Sequence, residues 1–117
     1  MGYDASENKT LDHPAEATIQ SASEVISRLG GKASKKNNPA QGRLEANFNK
    51  TIKGEFMNNR VQLEVDIASQ SPAQCTVKAA AYPVDPVGMK LTFGVKGKPA
   101  QRVIDVFFAE LDAQLKQ

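Results

Sequence analysis

Residues 93–103 read FGVKGKPAQRV, with Gly94 and Gly97 three apart and Lys96 and Lys98 on either side of the second glycine. Glycines let backbone N–H groups turn toward an anion, lysines supply charge, and an amphipathic helix opening at Pro99 adds the positive end of its dipole. Arg102, in the first turn of that helix, extends the cationic row. No Ser, Thr, Asp or Asn stands beside Pro99 to cap the helix, so its first N–H groups lack a side-chain acceptor. Gly94, Lys96, Gly97, Lys98 and Arg102 are therefore the candidate anion-binding set. The same residues also have a plainer role. Phe93 and Val95 read as strand, Gly97 permits a reversal, and Pro99 starts the closing helix, so the segment is first of all the hinge that returns the chain onto its sheet.

Other chemistries are not written into the chain. There is no Gly-x-Ser-x-Gly elbow, no Rossmann glycine run, and no Gly-Lys-Ser/Thr ending to the phosphate-loop-like segment. His13 is the only histidine and Cys75 the only cysteine, which argues against a multi-histidine metal site, a Cys-His pair and an intrachain disulfide. Glu45, Glu64 and Asp66 alternate with apolar residues, which places them on a solvent face where carboxylates solubilise. The expectation is a chain with no catalytic residue, no metal and no cofactor: not an enzyme.

The net charge of +2 hides an uneven distribution. Val25–Leu44 holds Arg28, Lys32, Lys35, Lys36 and Arg43 with no acid, and Pro86–Ile104 holds Lys90, Lys96, Lys98 and Arg102, again with no acid. If the fold joins the two stretches, a positive patch for a polyanion follows; apart, they are solvated faces. The Gly-x-x-Gly of residues 94–97 resembles the backbone clamp of KH domains, but that clamp joins two helices and this one follows a strand. Only 6% of the residues are aromatic, few for the stacking platforms of single-strand binders. Nucleic acid is not favoured.

The elements that would position these residues are legible as periodicities. Pro14 suits a helix start, and Ala15, Ile19, Ala22, Ile26 and Leu29 recur at helical spacing up to Gly30-Gly31. KASKKNNPAQG is a short basic strand candidate running into a turn. Leu44, Ala46 and Phe48 then alternate with Arg43, Glu45 and Asn47, and Val61, Leu63, Val65 and Ile67 alternate with Arg60, Gln62, Glu64 and Asp66. Cys75, Val77, Ala79 and Ala81 make a third strand. Pro83 and Pro86 bracket a segment that must bend or leave the sheet, and Leu91, Phe93 and Val95 make a fourth strand. The last helix carries Val103, Ile104, Phe107, Phe108, Leu111 and Leu115 on one stripe.

This pattern predicts an α+β domain over residues 13–117, after a flexible tail or edge strand at 1–12. The domain is one antiparallel sheet of four to five strands with two helices packed on one face, in the order (β)αββββα. No stretch reaches the apolar length of a membrane span, and MGYDASENKTLDHP lacks the profile of a secretory signal, so the expectation is a soluble cytoplasmic protein.

The order of elements, a helix ending in LGGK, GRLEANF as the first long strand and FGVKGKPAQRVIDVFFAEL as the strand-to-helix return resemble the compact helix-grip modules of small bacterial lipoproteins and outer-membrane assembly accessory proteins. The resemblance spans roughly residues 9–117 and implies the fold. The chain departs from the lipoproteins in having no signal segment and no lipidated cysteine.

The leading reading is the first of three roles, with the other two as alternatives. One is a non-catalytic adaptor for a protein partner, using the wet sheet face with Arg43 and Arg60 and the proline-rich loop with Tyr82 and Met89, residue types favoured at contacts. A second is anion or single-strand binding at the 94–102 turn. A third is a small apolar ligand between the last helix and the sheet, among Phe48, Leu63, Val77, Phe93, Phe107 and Leu111. Those six residues are the ones a packed core requires, and core filling is the favoured reading of them.

Overall fold

The computed structural model describes residues 3–116; residues 1 and 2 of the expected tail, and the C-terminal Gln117, lie outside it. The chain runs through β1 (Ala5–Leu11), α1 (Ala15–Arg28), β2 (Lys32–Ala33), a single 3-10 turn at Pro39–Gln41, and β3 (Arg43–Phe48). A small hairpin of β4 (Thr51–Ile52) and β5 (Glu55–Phe56) follows, then β6 (Arg60–Ser71), β7 (Gln74–Val84) and α2 (Pro99–Leu115). Every pairing is antiparallel, and the main sheet has the order β1-β7-β6-β3-β2. This is the expected α+β helix-grip layout of five strands and two helices.

Strand alternation decides the layering. Leu44, Ala46 and Phe48 of β3, Val61, Leu63 and Val65 of β6, and Cys75, Val77, Ala79 and Ala81 of β7 are all buried, as are Val103, Ile104, Phe107, Phe108 and Leu111 of α2. They form one core with Ala22, Val25, Ile26 and Leu29 of α1. Each large side chain in it contributes about 1.5–3 kcal/mol by leaving water. Cys75 fits there as a small apolar residue whose thiol donates to the Thr18 hydroxyl at 3.4 Å; Thr18 in turn donates to the Pro14 carbonyl at 2.9 Å.

Of the two alternatives for residues 1–12, tail or edge strand, residues 5–11 are the edge strand, because β1 pairs with β7 from Ala5↔Ala81 to Leu11↔Cys75. Two expectations need correcting. Pro83 does not leave the sheet: it stays in β7 opposite Val61. Its carbonyl accepts from the Leu91 N–H on the side away from β6, and in an antiparallel strand the N–H points the same way as the carbonyl. The missing N–H therefore removes no bond to β6. Leu91, Phe93 and Val95 form no strand; residues 91–98 are irregular, and Phe93 lies in solvent. The fifth place in the sheet is taken by the short basic β2 instead.

Gly42 closes the 3-10 turn at φ 78°, where its carbonyl accepts from the Ile67 N–H at 2.8 Å. A Cβ added there would lie 2.3 Å from the Ile67 carbonyl oxygen, a backbone atom that has nowhere to go. Gly42→Ala is expected to lower the unfolding free energy by about 2–4 kcal/mol through strain and loss of that contact. Urea denaturation measures it, and an unchanged midpoint would contradict the assigned turn.

Candidate functional site

Two regions bring polar side chains together, on opposite sides of the sheet. On the face away from the helices, the register places Asn47, Gln62 and Tyr82 in one row and Glu45, Glu64 and Ala80 in the next. Like charges directly opposite each other destabilise a sheet. Here Arg43 resolves the conflict, donating to Glu45 at 3.2 Å, Glu64 at 3.0 Å and Asp66 at 2.6 Å. Tyr82 donates to Glu64 at 2.7 Å, and Gln62 donates to Ser34 at 2.8 Å and Glu45 at 3.1 Å. The backbone N–H of Glu45 donates to the Asn37 side chain at 3.0 Å, so the segment after β2 folds over this carboxylate. Glu45 is only 7% exposed, which corrects the expectation of a freely solvated carboxylate.

Every buried side-chain nitrogen and oxygen among the described residues has a partner. The outer-face cluster is therefore a network that pins β3, β6 and β7 together and leaves no buried polar atom unpaired. Burial works against the Arg43 charge, but Asp66 foremost, then Glu45 and Glu64, outweigh it and hold its pKa above the ordinary value. Burial, the hydrogen bond to Glu64 and the nearby Glu64 and Glu45 charges push the Tyr82 hydroxyl up to about 12.

The second region is the mouth where α2 begins. Phe56, Met57, Asn58, Lys96, Gly97, Lys98, Pro99 and Arg102 line a groove of about 180 Å³. Across the Gly97-Lys98 backbone, Tyr3, Asp4, Ala5, Gly97, Lys98 and Gln101 line a second recess of about 420 Å³. Both glycines of the motif sit at positive φ, 79° for Gly94 and 72° for Gly97, as the turn there requires. Lys98 is the N-cap position of α2 and gives no side-chain cap, Pro99 occupies the first turn, and no acid lies in that turn. Arg102 is engaged: it donates to Glu55 at 2.5 Å and to the Phe56 carbonyl at 3.2 Å, tying the β4–β5 hairpin to the helix. Among the described residues Lys96 and Lys98 make no ion pair.

Four members of the anion-binding set, Lys96, Gly97, Lys98 and Arg102, thus line one groove; Gly94 does not. The set proposed for a partner is brought together only in part. Arg60 and Tyr82 are diagonal neighbours at one end of the sheet and Met89 lies in the turn beyond it, while Arg43 pairs with Asp66 farther along β6. Tyr82 and Arg43 belong to the outer-face network, Arg60 opens β6, and Met89 projects from the 85–90 turn. The two basic stretches do not merge: Lys32 lies on edge strand β2, while Lys98 flanks the opposite edge beside Ala5. Sequence reasoning missed Phe56, Met57 and Asn58, which reach the groove only because the small hairpin folds back across α2. It also missed the burial of Glu45, for which Asn37 and Ser34 gave no periodic signal. Of the six residues expected around an apolar ligand, five are buried in the core and Phe93 is outside it.

No protein-family model and no curated protein matches the sequence. Solved structures do share the fold. The di-domain ARO/CYC protein BexL from the BE-7585A biosynthetic pathway superposes with a TM-score of 0.54 at 14% identity, over 94% of this chain and 44% of BexL. Ara h 8.0201 gives 0.54 at 10% identity over 97% of this chain and 98% of its own. The Zhui aromatase/cyclase from Streptomyces sp. R1128 gives 0.50 at 7% identity, over 97% and 88%. This chain thus spans under half of BexL. These likenesses support the helix-grip layout and give no support to a resemblance to lipoproteins or outer-membrane assembly proteins. They also overturn the expectation that the chain is not an enzyme, since that expectation rested on missing motifs and this fold carries named aromatase/cyclases.

The raised Tyr82 value sets a pH dependence. The protonated phenol is favoured in the fold, so its contribution is complete below about pH 10, the ordinary tyrosine value, and is lost as pH climbs toward 12. Thermal melts across that window are expected to fall more steeply for the native chain than for Tyr82→Phe. Parallel curves would show that Tyr82 is not held by Glu64. Arg43→Ala, which leaves Glu45 and Glu64 facing each other, is expected to cost about 1–3 kcal/mol at neutral pH by urea denaturation; an unchanged midpoint would remove the network from the account.

Proposed function

We propose that this chain binds a small, largely apolar organic acid at the mouth of α2, in the two recesses on either side of Gly97-Lys98. The observation that carries this reading is the mixed lining of the groove. Phe56, Met57 and Pro99 offer an apolar wall, and Lys96 and Lys98 bring cations with no partner among the described residues. A space near 150 Å³ takes a single aromatic ring, and small-molecule sites begin around 300 Å³. The 180 Å³ groove and the 420 Å³ recess are on that scale. An acid group set at the uncapped helix start meets free N–H donors as well as the lysines.

The fold comparisons support a small organic ligand, without bearing on its acid group. Aromatase/cyclases are named for closing and aromatising rings, and BexL is placed in a biosynthetic pathway. Any chemical step at this mouth would draw on Lys96, Lys98, Arg102 and Asn58 of the groove and on Tyr3 and Asp4 of the recess, Asp4 being paired with Lys90, because the carboxylates of the outer-face cluster lie across the sheet. A protein partner at Arg43 and Tyr82 has less in its favour, since both side chains are spent in hydrogen bonds within the sheet.

Isothermal titration with 2-naphthoate and its neutral analogue 2-naphthalenemethanol tests the reading. Naphthoate is expected to bind more tightly, and the Lys96→Ala, Lys98→Ala double variant to weaken naphthoate about tenfold while leaving the alcohol unchanged. Phe56→Ala is expected to weaken both. Equal affinity for acid and alcohol, or no effect of the lysine variant, would contradict it.

A further inference from the structure

Four large apolar side chains stand in solvent: Phe56 at 68% exposure, Val87 at 84%, Met89 at 66% and Phe93 at 82%. Single exposed apolar residues need no explanation. These four, however, all belong to connections at one end of the molecule. Arg60, just after the β4–β5 hairpin, pairs with Val84 at the end of β7, so the hairpin and the 85–98 loop leave adjacent strand ends. The opposite end, at the Ser71–Gln74 turn, carries none of them.

The loop is built to hold its apolar residues outward. One Asp85 carboxylate oxygen accepts from the Val87 N–H at 3.0 Å and the Met89 N–H at 2.9 Å, and the Asp85 N–H donates to the Met89 carbonyl at 2.9 Å. A tight turn is thereby closed with Val87 and Met89 on its rim. The only acid in the loop is turned into its own backbone, and residues 86–104 contain no other. Lys90 is held back by Asp4 and lies over the Tyr82 ring at 5.1 Å. Lys96 and Lys98, which follow Phe93 in the same connection, remain as its cations without an ion pair among the described residues.

From this arrangement we infer that this end of the molecule docks on an anionic lipid surface, with Val87, Met89 and Phe93 entering the headgroup–acyl boundary and Lys96 and Lys98 at headgroup level. Separate apolar tips carried on loops suit insertion among lipids, whereas a protein contact calls for a contiguous patch around a packed centre. Basic residues beside apolar tips are the pairing that anionic leaflets attract. Lys96 and Lys98 serve both readings, but Val87, Met89 and Phe93 line neither recess, so a variant of those three tests docking without touching the ligand site.

Co-sedimentation with vesicles of phosphatidylcholine alone, and of phosphatidylcholine mixed with phosphatidylglycerol, tests it. Binding is expected only to the mixed vesicles, weakening as salt rises. The triple variant Val87→Asp, Met89→Asp, Phe93→Asp is expected to bind them at least about tenfold more weakly, with unchanged melting and unchanged naphthoate affinity. No binding to mixed vesicles, equal binding to both kinds, or wild-type binding by the triple variant overturns the inference. Tight binding to soluble polyglutamate without vesicle binding also overturns it, in favour of an acidic protein partner.

Discussion

A sheet that is apolar on one face only must find a cover, and that constraint organises this molecule. The inward rows of β3, β6 and β7 present Leu, Val and Ala side chains whose exposure no short domain could tolerate. α2 supplies the cover with Val103, Ile104, Phe107, Phe108 and Leu111, and α1 completes it from the side of β3. Because α2 must lie across the sheet, the chain has to climb from the end of β7 back to the start of the helix. Residues 85–98 make that climb, and the mouth, its lysines and its exposed apolar tips are consequences of it. The small β4–β5 hairpin belongs to the same end. Lys53 pairs with Glu110 at 2.9 Å and Arg102 with Glu55, so the hairpin becomes one wall of the groove.

The other face of the sheet answers a different physical demand. With no helix to cover it, it is polar, yet polar rows on adjacent strands set Glu45 against Glu64. Arg43 sits between them and Asp66, and Tyr82, Gln62, Asn37 and Ser34 complete the hydrogen bonding. A half-satisfied network of this kind would cost more than an apolar one. Its closure means that the carboxylates and the phenol, although grouped as in many active sites, serve the sheet. The unmet groups are elsewhere, at Lys96, Lys98 and the start of α2.

Much of the fold was legible in the sequence because period-two and helical alternation respond directly to one-sided burial. Val61 to Ile67 and Val103 to Leu111 sit where their spacing put them. Failures came where tertiary context outvoted local pattern. Leu91, Phe93 and Val95 alternate like a strand, but β1 already occupies the far side of β7 up to Ala81, and only Leu91 finds a backbone partner there. Pro83 looked like a strand breaker, yet its absent N–H faces away from β6. Half of the groove was readable as Lys96, Gly97, Lys98 and Arg102. The other half, Phe56 to Asn58, depends on a fold-back of the hairpin that no periodicity encodes. The expectation of an inert chain failed for a separate reason: missing motifs exclude only the chemistries those motifs serve.

The ligand site proposed here is the mouth of α2 and not the core. Backbone 15N–1H NMR spectra recorded during titration with 2-naphthoate test this most directly. The account predicts shift changes concentrated at residues 56–58 and 96–102, with the amides of β3 and β7 beneath the core unmoved. Changes centred on Leu63, Val77, Phe107 and Leu111, or on the outer-face residues Glu45, Glu64 and Tyr82, would contradict it.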